Sequence, residues 1–359
     1  MKIAITGLSN SGKTTVFNAL TGMNAQTSIY ASSMEEPHIG SVRVNDKRVE
    51  KLSGIFKPKK TTYSSILYTD FQGLTKGDSA HNRKVFEFIR DADALVEVVR
   101  AFTDEVIVHP DGTIDAARDA ANLESELILY DLELVEKRLG RMNDAAKRGK
   151  RPDEAEKRIL DKCQETLYKE IPLRKTTFTP DEQKAIVHLQ FISIKPKIIV
   201  INVAEADIGK AQPLIDEIAA RLDFDKNALI SLSGKIEMEI AQLPPEEAES
   251  FLKDMAIEEP ALDKVINKGY ELLGLISFLT VGEDEVRAWT INRGISALEA
   301  AGKIHSDIER GFIRAEVVAY SDFISSGTMA EVKKLGLARL EGKNYVVADG
   351  DIINFRFNV

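Results

Sequence analysis

The sequence predicts an α/β fold: a phosphate-loop (P-loop) sheet, mostly parallel with helices on both faces, an α-helical hairpin inserted into it, and a small mixed domain at the end. Three observations carry this. The run Gly7-Leu8-Ser9-Asn10-Ser11-Gly12-Lys13-Thr14 fits G-x-x-x-x-G-K-[ST] and lies between a strand-like apolar stretch, Lys2 to Thr6, and an apolar-periodic helix, Thr15 to Leu20. Further apolar runs alternate with amphipathic ones up to Ser233, interrupted by an interval, 116–190, whose apolar residues step by three and four. From Leu275 onward, short strand-like runs follow one another closely.

The glycines of the first motif let consecutive backbone N–H groups curl around an anion, and the positive end of the following helix adds its partial charge. Ser9, Asn10, Ser11, Gly12, Lys13, Thr14 and Thr15 are therefore expected around a phosphate chain. Lys13 would reach the β- and γ-phosphates, and the Thr14 hydroxyl would hold Mg²⁺.

Thr21 to Pro37, rich in Thr, Ser, Asn and Gly and without a period, reads as a long loop, the place for a sensor of the γ-phosphate. Alternation predicts strands at 39–44 and 64–69. The second runs into Asp70-Phe71-Gln72-Gly73, where the aspartate suits a second Mg²⁺ holder and Gly73 an N–H donor to phosphate. A helix over 83–91, strands over 94–100 and 196–203, a helix over 211–222 and a strand over 228–233 complete the pattern. Strands ending in polar loops put ligands at their carboxyl ends.

Within 116–190, Leu123, Leu127, Tyr130 and Leu134 share one helix face, as do Ile159, Cys163 and Leu167. Breakers and four cations, Lys147, Arg148, Lys150 and Arg151, separate the two sets, which predicts an antiparallel hairpin with arms of about 30 Å each and a basic tip. Cations gathered at a projecting tip of an acidic protein suit RNA; a solvated turn would carry the same residues. The terminal region reads as strands at 278–281, 286–290, 315–320, 345–347 and 352–357 with a helix over 297–304. The domains are expected at 1–115 and 191–274 (the two parts of the nucleotide-binding domain), 116–190 and 275–359.

Composition sets outer limits. With 43% hydrophobic and 29% charged residues the chain is ordinary for a soluble globular protein, and a net charge of −9 excludes holding nucleic acid by overall charge. No apolar run approaches the roughly 20 residues a bilayer requires, and the N-terminus reads as a strand, not a signal peptide. A cytoplasmic protein, monomeric and without a membrane partner, is expected; the single cysteine, Cys163, fits a reducing compartment.

Together these motifs resemble the YchF/Obg-like ATPase family. The resemblance rests on the phosphate loop with Thr15 to Thr21, on Asp70 to Gly77, on Asn202-Val203-Ala204-Glu205 and on Ser233 to Glu237. It continues through Thr280-Val281-Gly282, Arg287 to Ile291, Ala300 to Glu316 and Asp349 to Val359, nearly the full length. It implies a coiled-coil hairpin, a C-terminal TGS domain of β-grasp fold, and a slow Mg²⁺-dependent ATP hydrolase acting as a switch on a ribosome or other RNA-containing partner. Guanine readers carry Asn-Lys-x-Asp; here the lysine is gone and the carboxylate is one methylene longer, so the resemblance implies ATP over GTP. Asn202, Val203, Glu205, Ser233 and Gly234 are the implied base contacts.

Leu74 stands where many GTPases place a water-orienting glutamine, which leaves the chemistry to Mg²⁺, Lys13 and another group. His109, in a loop similar to a histidine-bearing loop of the family, is the candidate, unless it is an ordinary loop histidine. Asn10 matches an asparagine that holds K⁺ in related nucleotidases. Two departures stand out: Met34 occupies the place of the switch threonine, with Ser32 and Ser33 nearby, and the stretch after Gly77 is short and lacks glycines. Together with Leu74 these favour a nucleotide-binding module with little turnover as the alternative; a GTPase, with Glu205 replacing the usual aspartate, is the other.

Overall fold

A computed structural model describes the chain except Asn24, 26–36, Lys76, Pro152, 255–259, Val359 and the side chains of Pro245 and Glu249. Met34, Ser32 and Ser33 thus lie outside the described residues. The strands are β1 (Lys2–Thr6), β2 (His38–Arg43), β3 (Lys60–Thr62), β4 (Ser65–Asp70), β5 (Ala94–Ala101), β6 (Lys197–Val203), β7 (Leu229–Leu232), β8 (Leu275–Thr280), β9 (Glu285–Asn292), β10 (Phe312–Ala319), β11 (Arg339–Glu341) and β12 (Asp351–Phe357). The first helices are α1 (Lys13–Thr21), α2 (Lys47–Phe56), α3 (Ser79–Ile89), α4 (Ala116–Lys147), α5 (Glu154–Tyr168), α6 (Pro180–Ile186), α7 (Gln212–Leu222) and α8 (Gly234–Gln242).

The chain forms two compact units, Met1–Gly40 with Leu67–Val265, and Ser41–Ile66 with Ile266–Val359. This differs from the four-part expectation in two ways: the helical insertion falls within the first unit, and residues 41–66 belong with the C-terminal region.

The first unit is built on a sheet of order β2-β4-β1-β5-β6-β7, whose pairings β1 to β4, β1 to β5, β5 to β6 and β6 to β7 are parallel. β5 and β6 are buried almost throughout, because their β-branched runs suit central strands covered on both faces. Two charges inside those strands are paired. Lys197 Nζ of β6 lies 2.8 Å from Glu97 Oε2 of β5 and 2.6 Å from Glu124 Oε2 of α4, so one ammonium fastens α4 to the sheet.

The hairpin has unequal arms, contrary to expectation. At 1.5 Å per residue the 32-residue α4 is about 48 Å long and the 15-residue α5 about 22 Å. The excess has a physical reason. Leu123, Leu127 and Tyr130, read as hairpin seam, pack into the core of the nucleotide sheet with Val85, Phe86 and Ile199. Val135, Leu139 and Met142, further along α4, are the ones that meet Ile159, Leu160, Cys163 and Leu167 of α5.

The second unit is a sheet of order β11-β10-β12-β8-β9-β3. β8 and β9 pair antiparallel, β12 and β8 parallel, and β3 joins the edge parallel to β9 with Thr62 opposite Arg287. One cluster holds Phe278, Ala300, Ala301, Val317 and Phe355; the other sets Val49 and Leu52 of α2 among Leu279, Val286, Ala288 and Val318. Residues 345–347, expected as a strand, make only an isolated bridge between Val346 and Ser296. The run Tyr-Val-Val has β propensity but no neighbouring strand to extend the ladder.

Candidate nucleotide and metal site

β1 ends at Thr6 and the chain turns through Gly7–Gly12 into α1. The turn needs left-handed backbone at Asn10 (φ 64) and Gly12 (φ 90). A Cβ on Gly12 would lie 2.2 Å from Asn202 Nδ2, and one on Gly7 2.3 Å from the Val98 carbonyl oxygen, so both positions admit only glycine. No side chain caps α1, which leaves its first amides available to an anion.

Lys13 and Thr14 come from the first turn of α1, and Asp70 from the end of β4. The Thr14 hydroxyl donates to Asp70 Oδ2 at 2.8 Å, and Lys13 Nζ donates to the Leu8 carbonyl at 2.8 Å. Burial pushes the Lys13 ammonium down to about 8, opposed by the charge of Asp70. Burial also raises Asp70, with Lys13, Thr14 and His38 pulling the other way. Asp70 Oδ1 is buried without a hydrogen-bond partner. A hydroxyl beside a carboxylate with one unsatisfied oxygen fits a hard divalent cation such as Mg²⁺. Among the described residues no three His, Cys, Asp or Glu side chains gather as a metal cage, so these side chains alone do not complete a cation's shell. One neighbour was not legible in sequence: His38, at the start of β2, sets Nδ1 3.9 Å from Asp70 Oδ2. That meeting depends on which strands pair, not on local pattern.

Gly73 lies directly over this loop. A Cβ there would come 2.6 Å from the Ser9 backbone nitrogen and 2.7 Å from Lys13 Nζ. The next residue zips to the loop: Leu74 N–H donates to the Gly7 carbonyl and Ser9 N–H to the Leu74 carbonyl, both at 3.0 Å. The Leu74 side chain is 1% exposed, so it faces the core and not a water. From the other side, His81 Nε2 donates to the Gly73 carbonyl at 3.0 Å. Asn82 grips Thr75 with its whole amide, accepting from the Thr75 N–H at 2.9 Å and donating to its carbonyl at 3.0 Å.

The expected base contacts divide. Asn202 is buried and spans two loops, donating to the Ser11 carbonyl at 3.0 Å and accepting from Gly234 N–H at 2.9 Å. Its side chain thus spaces the phosphate loop from the Ser233-Gly234 turn, using one of its two N–H donors and one oxygen lone pair to do so. Val203 packs in the hydrophobic core. Glu205 opens a short 3₁₀ turn, Glu205–Asp207, after β6 and is exposed. Buried Ser233 precedes Gly234 at the start of α8.

The catalytic role expected of His109 is not met by this arrangement. The ring is 6% exposed, its Nε2 lies 2.7 Å from Asp119 Oδ2 and its Nδ1 accepts from Asp111 N–H at 3.1 Å, so both nitrogens are spent inside the protein. Asn10 turns its amide nitrogen to the Val108 carbonyl at 3.1 Å, tying the phosphate loop to the histidine loop. Away from the site, Lys147, Arg148, Lys150 and Arg151 are all exposed at the hairpin tip.

Comparison with known proteins adds independent observations. A family model described as "Protein of unknown function (DUF933)", a YchF-type GTPase C-terminal region, matches residues 275–358, and one described as "50S ribosome-binding GTPase" matches residues 2–133. The "Ribosome-binding ATPase YchF" of Bacillus subtilis (strain 168) is 44% identical over 362 residues, covering 99% of this chain and 98% of that protein. That of Escherichia coli O157:H7 is 37% identical over 361 residues, covering 100% and 99%. The solved "Structure of the Schizosaccharomyces pombe YchF GTPase" aligns with a TM-score of 0.82 at 30% identity, over 99% of this chain and 97% of that one. Relatives this similar along the whole length, and a fold shared with a solved YchF, mean that the chain belongs to the YchF family.

Proposed function

We propose that the protein binds ATP in preference to GTP with Mg²⁺, hydrolyses it slowly, and uses the bound state as a switch on the ribosome in the cytoplasm. The observation that carries this is the convergence of the open helix end, Lys13, and the Thr14–Asp70 pair at the end of one sheet. Relatives named ribosome-binding ATPases support it. Thr14 and Asp70 would hold Mg²⁺, which shields the phosphate charge when bound. Lys13 and the amides of the loop orient the phosphate chain. His109 enters the chemistry only by leaving Asp119. Glu205, exposed at the turn that follows β6, is the group that reads the base.

Calorimetric titration with ATP and with GTP tests the base assignment: ATP binds more tightly, and Glu205→Ala narrows the ratio. An unchanged ratio removes Glu205 from the base site. Phosphate release over hours, with and without ribosomes and in K⁺ against Na⁺, separates the hydrolase from a nucleotide-binding module and tests the cation assigned to Asn10. The buried, backbone-paired Leu74 is the observation that favours the module. For the partner, reversing Lys147, Arg148, Lys150 and Arg151 to glutamate weakens ribosome cosedimentation and flattens its salt dependence. Cosedimentation unaltered across salt concentrations places the contact elsewhere.

A further inference from the structure

The hydrolase reading gives the cation two protein ligands, yet a third side chain faces the same carboxylate. His38 places Nδ1 3.9 Å from Asp70 Oδ2, the oxygen that also takes the Thr14 hydroxyl at 2.8 Å. The imidazole is braced on the inner side by Phe17, a fully buried ring whose centroid is 6.2 Å away at an interplanar angle of 34°. Its outer side is open, the side chain being 39% exposed. In an octahedral shell with bonds of about 2.1 Å, neighbouring ligand atoms lie about 3.0 Å apart and opposite ones about 4.2 Å apart. The Thr14–Asp70 separation matches the first spacing, and the His38–Asp70 separation falls between the two. Asp70 Oδ2 thus has the Thr14 hydroxyl at one ligand spacing and the His38 nitrogen within reach of the same shell by a small turn of the half-exposed ring.

We propose that His38 is a third protein ligand of the nucleotide-bound cation and shifts this site from Mg²⁺ toward Mn²⁺. Imidazole nitrogen binds Mn²⁺ more readily than Mg²⁺, which demands oxygen donors and gives up water reluctantly. The inference rests on the hydrolase reading, because phosphate oxygens complete the shell.

The test uses the full chain with Mn²⁺ and either ADP or a non-hydrolysable ATP analogue, read by electron paramagnetic resonance. Pulsed spectra of the wild type show coupling from a directly bound imidazole nitrogen, and the coupling disappears in His38→Ala. Titration of free Mn²⁺ shows affinity falling about tenfold in His38→Ala, with Mg²⁺ competition changed far less. Nucleotide-dependent Mn²⁺ binding without nitrogen coupling overturns the role of His38 and leaves the hydrolase reading standing. Coupling that survives in His38→Ala likewise assigns it to another group. No nucleotide-dependent Mn²⁺ binding at all overturns both. Should His38→Ala not fold, the wild-type spectrum and the milder His38→Gln decide the matter.

Discussion

Lys13 shows what a phosphate loop asks of a single residue. Its ammonium is buried against the Leu8 carbonyl with a pKa brought down to about 8, whereas a lysine in the unfolded chain titrates near 10.5. A bound triphosphate supplies the missing counter-charge and raises the value again. Between the free and bound values the complex holds one more proton, so ATP binding takes up a proton above pH 8 and affinity falls as pH rises there. Calorimetry at pH 8.5 in two buffers of different ionisation heat measures that uptake; equal heats would refute it. Lys13, Thr14 and Asp70 could be named from sequence because each sits in a short motif whose spacing fixes its place. Asn202 shows the limit. Its motif was recognised, but that its amide would span Ser11 and Gly234 depends on how close two loops come, which spacing along the chain does not encode.

At the scale of elements, the segment 73–75 is held from both sides, by the phosphate loop through backbone pairs and by α3 through His81 and Asn82. Asn82 is 2% exposed, and its removal takes the partner from the Thr75 N–H in a place water reaches poorly, while the Thr75 carbonyl keeps the Asp78 N–H at 3.2 Å. Asn82→Ala is expected to speed hydrogen exchange of peptides covering Leu74 and Thr75 by about tenfold or more, a loss of roughly 1–3 kcal/mol of local stability. Exchange at the wild-type rate would mean the backbone pairs alone hold the segment. Asn82 Nδ2 also reaches Glu126 Oε2 of α4 at 3.3 Å, so this strap and the hairpin arm share one side chain. Periodicity found both helices of the hairpin and the breakers between them. It could not divide the apolar stripe of α4 between two partners, because Leu123 and Leu139 look alike in sequence while one packs on the sheet and the other on α5.

At the scale of the molecule, fold class was legible because alternating strand and helix patterns and a change of pattern near residue 275 are properties of long stretches. The membership of 41–66 was not. Its helix α2 is amphipathic in the ordinary way, and only the tertiary structure shows that Val49 and Leu52 fill the C-terminal core. Leu52 is 0% exposed, so Leu52→Ala is expected to cost about 2–5 kcal/mol. Trp289, the single tryptophan, stacks on Phe278 in the same unit and reports the loss as a lowered transition temperature in fluorescence. An unshifted transition would show that the C-terminal sheet stands without α2.

That shared core has a consequence for how the protein is made. Thr62 hydrogen-bonds Glu285, a residue 223 positions later. At a synthesis rate of about 5–20 residues per second, β3 and the apolar face of α2 wait on the order of tens of seconds after emerging before their partners exist. During that interval the nascent chain carries an unpaired strand and an uncovered Val49–Leu52 face, while the parallel sheet around it is still being assembled. An unpaired edge and an uncovered apolar face are open to wrong partners for that time, and slowing translation between 66 and 275 would lengthen the exposure.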